Sequence, residues 1–239
     1  MRNAIVTGAT KGIGLAIARM LLREGYHVVV TYAHDDASAE VCRGELETIS
    51  ANFEIVKADQ SDRVAMRSFA QQMLAKEHID CIVCNAGATL RSNLEDITDE
   101  AWERTMQVNV NSSLYLIRDL YRVIPENSRI IFIGSLMGIH PHGTSLAYGV
   151  SKAAVHALAQ NLVKCFEGSN TTVNAIAPGF VETEWQASKP QEIRNNILAK
   201  SAVKRFAAPD EVADAVRFCI NNGFVNGSVI EVSGGYSFK

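Results

Sequence analysis

The chain has 239 residues, of which 47% are hydrophobic and 21% charged, and its formal net charge is −3. This size and balance predict one α/β domain with a substantial core, and the mildly acidic charge offers no basic footprint for nucleic acid. No apolar run approaches the roughly 18 residues that span a bilayer. The first strand begins almost at Met1, which leaves no room for a signal peptide, and five cysteines, an odd number, favour a reducing cytoplasm over a disulfide framework.

The N-terminal segment predicts an anion site. An apolar strand at 3–7 runs into a glycine turn at 8–14, and a helical pattern follows at 15–22. Backbone N–H groups and the helix dipole at such a junction favour a bound pyrophosphate. The glycine spacing is G-x-x-x-G-x-G rather than the commoner G-x-G-x-x-G. A glycine turn by itself is also compatible with a tight connection and nothing more.

Apolar strands and helical patterns alternate along the rest of the chain. Further strands are predicted at 28–30, 53–56, 81–83, 130–133, 173–176 and 229–232, with helices around 37–50, 62–76, 99–123, 147–167 and 209–221. This alternation predicts a three-layer, doubly wound Rossmann fold of the α/β class. No repeat or linker divides the sequence, so residues 1–239 are predicted to form a single domain.

Two short motifs suggest metal or redox chemistry but are better explained otherwise. Cys81 and Cys84 form a C-x-x-C within a predicted strand, where residues three apart face opposite sides of the sheet. Packing is therefore the favoured role for both thiols. His140 and His142 lie in a predicted loop without further ligands nearby, so no metal site is predicted. Polar contacts with a substrate are the alternative role for these two side chains.

A tyrosine and a lysine predict proton-transfer chemistry. Tyr148 and Lys152 lie four residues apart in a helical pattern, and Ser135 precedes them. Residues i and i+4 share a helix face, so the ammonium is predicted to favour the phenolate and lower the tyrosine pKa toward the range useful for acid–base catalysis. Ser135 would hold the substrate oxygen beside the phenol. Alone, the pair is also typical of a half-buried tyrosine beside a solvated lysine.

Taken together, the motifs resemble those of the short-chain dehydrogenases/reductases. The matching segments are Thr7-Gly8-x-x-x-Gly12-Ile13-Gly14, Asn85-Ala86-Gly87, Asn109, Ser135, Tyr148-x-x-x-Lys152 and Pro178-Gly179-x-x-x-Thr183. They occur in the family's order, and the resemblance runs from about residue 3 to Gly235. It implies a doubly wound sheet of seven parallel strands, with a nicotinamide cofactor lying across their carboxyl ends.

The resemblance also implies roles for individual residues. The implied catalytic residues are Asn109, Ser135, Tyr148 and Lys152, with Asn109 opening its helix to hold a water linked to the lysine. The implied cofactor contacts are Gly8, Thr10, Lys11, Gly12, Ile13, Gly14, Asp59, Asn85, Ala86, Gly87, Tyr148, Lys152, Pro178, Gly179, Val181 and Thr183. The expected substrate contacts are Ser135, Tyr148, His140 and Trp185, the last in a segment at 184–198 that resembles the family's substrate lid. For Asp59 the structural alternative is a helix cap, although Asp62 or Ser61 is better placed for it.

Cofactor preference depends on two positions. An acidic residue at the end of the second strand usually binds the ribose hydroxyls of NAD, but here no carboxylate precedes Asp35. Lys11 stands in the glycine turn, where family members that prefer the phosphorylated cofactor often carry a basic residue. We therefore expect NADP(H) to be preferred over NAD(H), although a solvated loop charge would also explain Lys11.

The expected reaction is hydride transfer between nicotinamide and a ketone or secondary alcohol. The nearest subgroup in appearance is the 3-oxoacyl-[acyl-carrier-protein] reductases, which share the segments 129–135 and 204–213. The segment 88–97 lacks that subgroup's Leu-Leu-x-Arg-Met run, so the substrate stays open. A dinucleotide-binding regulatory or scaffold protein without turnover is the alternative, and an epimerase or dehydratase is a third possibility. The resemblance implies a homotetramer or homodimer.

Overall fold

The sheet of this protein brings the motifs predicted to bind a cofactor to the carboxyl ends of its strands. The computed structural model describes residues 1–187 and 189–236. Its strands are β1 (Asn3–Val6), β2 (His27–Tyr32), β3 (Phe53–Lys57), β4 (Cys81–Cys84), β5 (Arg129–Ile133), β6 (Thr172–Pro178) and β7 (Val229–Val232). They lie in the order β3-β2-β1-β4-β5-β6-β7, and every pair is parallel. The strand order reverses between β1 and β4, the switch point beyond which open parallel sheets bind ligands.

Helices cover both faces of the sheet. They are α1 (Gly12–Arg23), α2 (Asp36–Glu47), α3 (Arg63–Met73), α4 (Asp99–Met106), α5 (Ser112–Leu120), α6 (Leu146–Leu162), α7 (Glu184–Ala187), α8 (Gln191–Lys200) and α9 (Pro209–Asn221). A π-helical turn at Gln107–Asn111 joins α4 to α5. The seven-stranded, doubly wound Rossmann fold predicted from the sequence is therefore confirmed.

Alternating residues of each strand pack against opposite helical layers. On one face, Ala4 and Val6 belong to a buried cluster with apolar residues of α1 and α9. On the other, Ile5 and Phe132 pack with residues of α3, α5 and α6. Because both faces are dry, the central strands are apolar at nearly every position, as expected of a covered parallel sheet.

The cysteines of the C-x-x-C motif lie on opposite faces of β4. Cys81 belongs to the cluster beside α1, whereas Cys84 belongs to the cluster beside α5 and α6. Burial raises the pKa of each thiol to about 12, and both are free cysteines. Their predicted role in packing is confirmed.

None of the helices in the described part of the chain has the length and apolar character needed to cross a bilayer.

Candidate active site

A cleft of about 1000 Å³ opens beyond the carboxyl ends of the strands near the switch point. It is lined by every residue that the sequence analysis assigned to cofactor or substrate binding, from Gly8 in the first turn to Trp185 in α7. Ser135, Tyr148 and Lys152 also line it. Asn109 does not reach the cleft surface and lies behind one of its walls. Segments far apart in the sequence thus meet at one place.

The glycine turn after β1 is shaped by close backbone packing. Gly8 and Gly12 have φ angles of +60° and +57°, a region that residues with a Cβ rarely adopt. At Gly14, a Cβ would lie 2.6 Å from the Ala9 Cα and 2.7 Å from the Gly8 carbonyl oxygen. Helix α1 starts directly after this turn, and its N-cap residue Lys11 makes no side-chain capping bond. The first N–H groups of α1 therefore suit a cofactor pyrophosphate.

Hydrogen bonds tie the glycine turn to the end of β4. The Asn85 side-chain amide donates to the carbonyls of Thr7 (3.0 Å) and Gly8 (2.8 Å). The Thr7 hydroxyl in turn accepts from the backbone N–H groups of Asn85 and Ala86, each at 3.0 Å. The two segments predicted to hold the cofactor are thus fixed relative to one another before any ligand arrives.

Tyr148 and Lys152 lie on consecutive turns of α6, as their spacing predicts. The Lys152 Nζ atom is 5.7 Å from the centroid of the Tyr148 ring and donates a 2.7 Å hydrogen bond to the Ile133 carbonyl at the end of β5. Lys152 is only 4% exposed, and this burial lowers its pKa to about 8. Ser135 lies two residues after the end of β5, and its hydroxyl caps a short 3-10 turn.

The pKa of Tyr148 does not shift in the direction expected from the sequence. Burial raises it above its ordinary value, and only a hydrogen bond with Ser135 acts to lower it. The Lys152 ammonium has no comparable influence, because it is turned toward the Ile133 carbonyl. Within the polypeptide, Tyr148 is therefore a protonated phenol at neutral pH. A protonated phenol is the state needed to give a proton to a developing alkoxide.

Asn109 holds the wall of the cleft from within. It is 2% exposed and lies in the π-helical turn, where the resemblance implied that it opens the helix. Its side-chain carbonyl accepts from the Ala88 N–H at 2.7 Å, and its amide donates to the Ala88 carbonyl and the Ser151 hydroxyl at 3.0 and 2.8 Å. A π turn is a common distortion at functional sites, and here it connects the segment after β4 to α6.

His156 is a neighbour of the site that the sequence analysis missed. Its Nε2 atom accepts a 3.3 Å hydrogen bond from the Ser135 backbone N–H, which requires the neutral ring with its proton on Nδ1. A Cβ at Gly134 would lie 2.1 Å from that Nε2 atom, and one at Gly138 would lie 2.9 Å from the ring Cε1. The two glycines thus make room for the imidazole that fixes the backbone of Ser135. The sequence did carry a signal for His156, because it lies four residues after Lys152 and therefore on the same face of α6.

The burial of His156 predicts a loss of stability in acid. Burial, and then the charge of Lys152, lower its pKa to about 4, so the unfolded chain binds a proton here that the folded chain does not. Its contribution to stability is complete above about pH 6.5 and is lost as the pH falls toward 4. We expect His156→Gln to be less stable than the parent near neutrality, but to lose less stability between about pH 7.5 and about pH 4.5. Urea denaturation followed by circular dichroism measures both quantities.

The exposed loop histidine His142 provides the control for that measurement. His142→Gln should keep the parent's pH dependence, because this ring lies outside the core. If His156→Gln lost as much stability in acid as the parent, the buried imidazole would not be the group that takes up a proton on unfolding.

Charged side chains of the cleft near the glycine turn and the end of β2 form three ion pairs. The Lys11 Nζ atom lies 3.0 Å from an Asp35 oxygen and 2.8 Å from a Glu184 oxygen, and these bonds raise its pKa, Glu184 first and Asp35 second. Asp59 lies 2.8 Å from the His34 ring. The capping role considered for Asp59 falls instead to Asp62, which accepts from two N–H groups of α3.

The opposite end of the cleft is formed by the loop before α6 and by the segment that contains α7 and α8. Trp185 and His140 both line this end, and both are exposed. A 3.1 Å hydrogen bond from the Ser92 N–H to the Thr144 carbonyl joins the segment after β4 to the loop before α6. Residue 188 of the expected lid lies outside the described residues. No group of three or more histidine, cysteine or acidic side chains suited to a metal occurs among the residues the structure describes.

Comparisons with known proteins agree with this architecture. A family model described as enoyl-(acyl carrier protein) reductase matches residues 8–237. A 2-dehydro-3-deoxy-D-gluconate 5-dehydrogenase of Pseudoalteromonas atlantica is 31% identical, covering 98% of this chain and 94% of its own length. The 3-oxoacyl-[acyl-carrier-protein] reductase FabG of Escherichia coli is 29% identical, covering 97% of this chain and 96% of its own. Among solved structures, a short-chain dehydrogenase from Burkholderia cenocepacia in complex with NADP has a TM-score of 0.91 at 27% identity, covering 98% and 97% of the two chains.

Proposed function

This chain belongs to the short-chain dehydrogenase/reductase family, whose members act on CH–OH groups, and we propose that it is an NADP(H)-dependent oxidoreductase that interconverts a ketone and a secondary alcohol. The observation that carries the proposal is the meeting of Ser135, Tyr148 and Lys152 in the cleft that the glycine turn also lines. A side chain that donates a proton, another that binds an oxygen and a built cradle for a dinucleotide then share one cavity.

The proposed roles of these residues follow from their positions. Tyr148, a protonated phenol, gives its proton to the substrate oxygen as negative charge develops there. The Ser135 hydroxyl donates a hydrogen bond to the same oxygen, and its placement depends on His156. Bound NADPH supplies the hydride. In the reverse direction Tyr148 accepts the proton.

Lys152 and Asn109 would support that proton transfer. Lys152 lines the cleft from α6, and we propose that it binds the nicotinamide ribose hydroxyls. Asn109 would maintain the path that resupplies the proton, as the family resemblance implies. Its amide donates to the Ala88 carbonyl and to the hydroxyl of Ser151. Ser151 is the residue before Lys152 on α6.

The preference for NADP over NAD is supported by the end of β2. Asp35 is engaged by Lys11, and Asp36 is engaged by Lys57 at 2.9 Å and by the Tyr32 hydroxyl. Neither carboxylate is left to accept ribose hydroxyls, as an NAD-binding acid would. The Lys11 ammonium would bind a 2′-phosphate in exchange for Glu184. Solved relatives described as complexes with NADP or NADPH support the same choice.

We expect Lys11→Gln to reduce the NADPH preference. Losing one charge-assisted bond to a phosphate should lower kcat/KM for NADPH by about ten-fold or more and leave kcat/KM for NADH nearly unchanged. Steady-state rates with each cofactor measure the ratio. Lys76→Gln, which breaks a surface pair with Glu54 outside the cleft, is the matched control. The cofactor assignment would be wrong if the parent enzyme prefers NADH. It would also be wrong if Lys11→Gln leaves the ratio of kcat/KM for NADPH to kcat/KM for NADH unchanged.

A 3-oxoacyl thioester is one proposed substrate, and a keto sugar acid is another. Relatives named as 3-oxoacyl-[acyl-carrier-protein] reductases support the first, and the 2-dehydro-3-deoxy-D-gluconate 5-dehydrogenase supports the second. The test follows NADPH oxidation at saturating cofactor against both compounds, with cyclic diketones and a steroid ketone added. Consumption of NADPH in step with a ketone supports the proposal. Tight NADPH binding without consumption would favour the alternative of a regulatory or scaffold protein.

We also propose that the enzyme acts in the cytoplasm as a homotetramer or homodimer. Apolar side chains exposed on α5 and α6, namely Leu114, Leu146 and Val150, support an interface formed by these two helices. The free cysteines among the described residues are compatible with a reducing compartment.

A further inference from the structure

The two ends of the cleft carry different charge. Its carboxylates are Asp35, Asp59 and Glu184, and each of them is paired: Asp35 and Glu184 with Lys11, and Asp59 with His34. Asp35 and Asp59 lie beside the end of β2, at the end we assign to the adenosine. Glu184 begins α7, but its carboxylate points to Lys11 in the glycine turn and is compensated there. The end beyond Tyr148 therefore has no unpaired carboxylate among the described lining residues.

That second end carries cations instead. Arg91 lies in the segment after β4, held next to the loop before α6 by the hydrogen bond from Ser92 to Thr144. Lys189 follows α7 and also lines the cleft. Within residues 1–187 and 189–236, no ion pair joins either side chain to a carboxylate. The cleft thus carries two positive charges, from the segment after β4 and the segment after α7, that no carboxylate pairs within the described residues.

The two charges act on each other. Burial is the first cause that lowers the pKa of Lys189, and the positive charge of Arg91 is the second. Arg194 contributes as well, but it is paired with Glu182 and lies over the Phe206 ring. The Lys189 ammonium donates to the Gln186 side-chain carbonyl, a neutral acceptor that orients it without compensating its charge. A partly buried pair of like charges without a counter-ion is unfavourable unless an anion joins it.

We propose that the ketone substrate carries an anionic group, a carboxylate or a phosphate, at the end remote from its carbonyl, and that this group binds between Arg91 and Lys189. The inference rests on the proposed reductase function, because it takes Tyr148 and Ser135 as the place of the carbonyl. A neutral ketone would leave both cations uncompensated on closing the site. An anionic one forms charge-assisted hydrogen bonds with both side chains and draws them together.

Matched pairs of ketones test the proposal. For the carboxylate, 4-oxocyclohexanecarboxylate is compared with its methyl ester. For the phosphate, acetoacetyl-coenzyme A is compared with the neutral thioester of acetoacetate and N-acetylcysteamine. Each pair keeps the reacting carbonyl and changes the remote charge. We expect kcat/KM for one anionic member to exceed that of its neutral partner by about ten-fold or more, and the pair that shows the larger ratio identifies the anionic group.

The variants Arg91→Gln and Lys189→Gln locate the effect. Each should raise KM for the anionic substrate by about ten-fold, leave its kcat nearly unchanged and leave the neutral partner's constants unaffected. Arg67→Gln, on the exposed surface of α3, is the matched control and should change neither. Neutral members that react as well as anionic ones would overturn the anionic-substrate proposal while the reductase function stands. NADPH that binds to the protein but is not oxidised with any of the ketones would overturn the reductase function itself.

Discussion

Replacing Tyr148 with phenylalanine should lower kcat for ketone reduction by about 10²- to 10⁴-fold, the range for losing a positioned general acid. Phenylalanine keeps the aromatic ring at its place on α6 and removes only the hydroxyl that makes a hydrogen bond with Ser135. NADPH affinity and thermal stability should therefore stay close to the parent values. Stopped-flow or steady-state loss of NADPH absorbance measures the rate, and fluorescence titration measures cofactor binding.

Tyr121 offers the matched control for that variant. It is an exposed tyrosine outside the cleft, whose hydroxyl donates to the Cys165 carbonyl. Tyr121→Phe removes an identical group and should retain the parent rate. A Tyr148→Phe enzyme with more than about a tenth of the parent rate would rule out this phenol as the proton donor.

The raised pKa of Tyr148 also predicts different pH dependences for the two directions. Reduction needs the phenol protonated, and burial keeps it so through the neutral range. Oxidation of the alcohol needs the deprotonated form. We therefore expect the reduction rate to stay constant through neutral pH. We expect the oxidation rate to increase as the pH becomes alkaline, because Tyr148 then loses its proton.

Replacing Lys152 with methionine should cost about 10²-fold in kcat and also weaken NADPH binding. Methionine fills most of the same buried volume but carries no charge, so the ribose hydroxyls would lose the ammonium that we propose holds the nicotinamide in place beside Tyr148. Because burial lowers the pKa of Lys152 to about 8, the ammonium is present below that pH and is lost above it. The parent should lose Lys152-dependent activity as the pH rises past this value, and the variant should lack that dependence.

Lys164 lies at the exposed end of the same helical segment, paired weakly with Glu167, and Lys164→Met is the control. A Lys152→Met enzyme with parent kcat and parent cofactor affinity would contradict the cofactor-binding role assigned to the side chain. A change in stability alone, with kinetic constants intact, would reduce Lys152 to a packing residue.

The sequence was sufficient for the architecture because the signals were local. Strand β7 was predicted at its observed bounds, and α9 likewise, since an apolar run or a helical period defines each element without reference to its neighbours. The helix predicted around 99–123 is interrupted at Gln107–Asn111, where the family resemblance implied that Asn109 opens it. Helical periodicity alone did not show this, and the hydrogen bonds of Asn109 to Ala88 and Ser151 join distant parts of the chain.

The same distinction explains what was missed at the site. The glycine turn and the Tyr148–Lys152 pair are motifs with fixed spacing, so the sequence located them. The role of His156 depends on Gly134 and Gly138, which make room for its ring only after β5 has packed beside α6. The pKa direction of Tyr148 failed for a similar reason, because helical spacing predicts proximity but not that Lys152 turns toward the Ile133 carbonyl. Arg91 and Lys189 are 98 positions apart in the sequence, and only the fold shows that they line the same cleft.

The central claim, that this cleft transfers hydride to a ketone, is tested most directly by isotope transfer. The enzyme is supplied with NADPH deuterated at C4 on the face that reacts and with the best ketone of the panel, and the alcohol is examined by mass spectrometry. We predict one deuterium on the carbinol carbon for each NADPH consumed, and labelling by Tyr148→Phe that is slower by about 10²-fold or more. An enzyme that binds the labelled cofactor tightly yet transfers deuterium from neither face to any ketone would contradict the account.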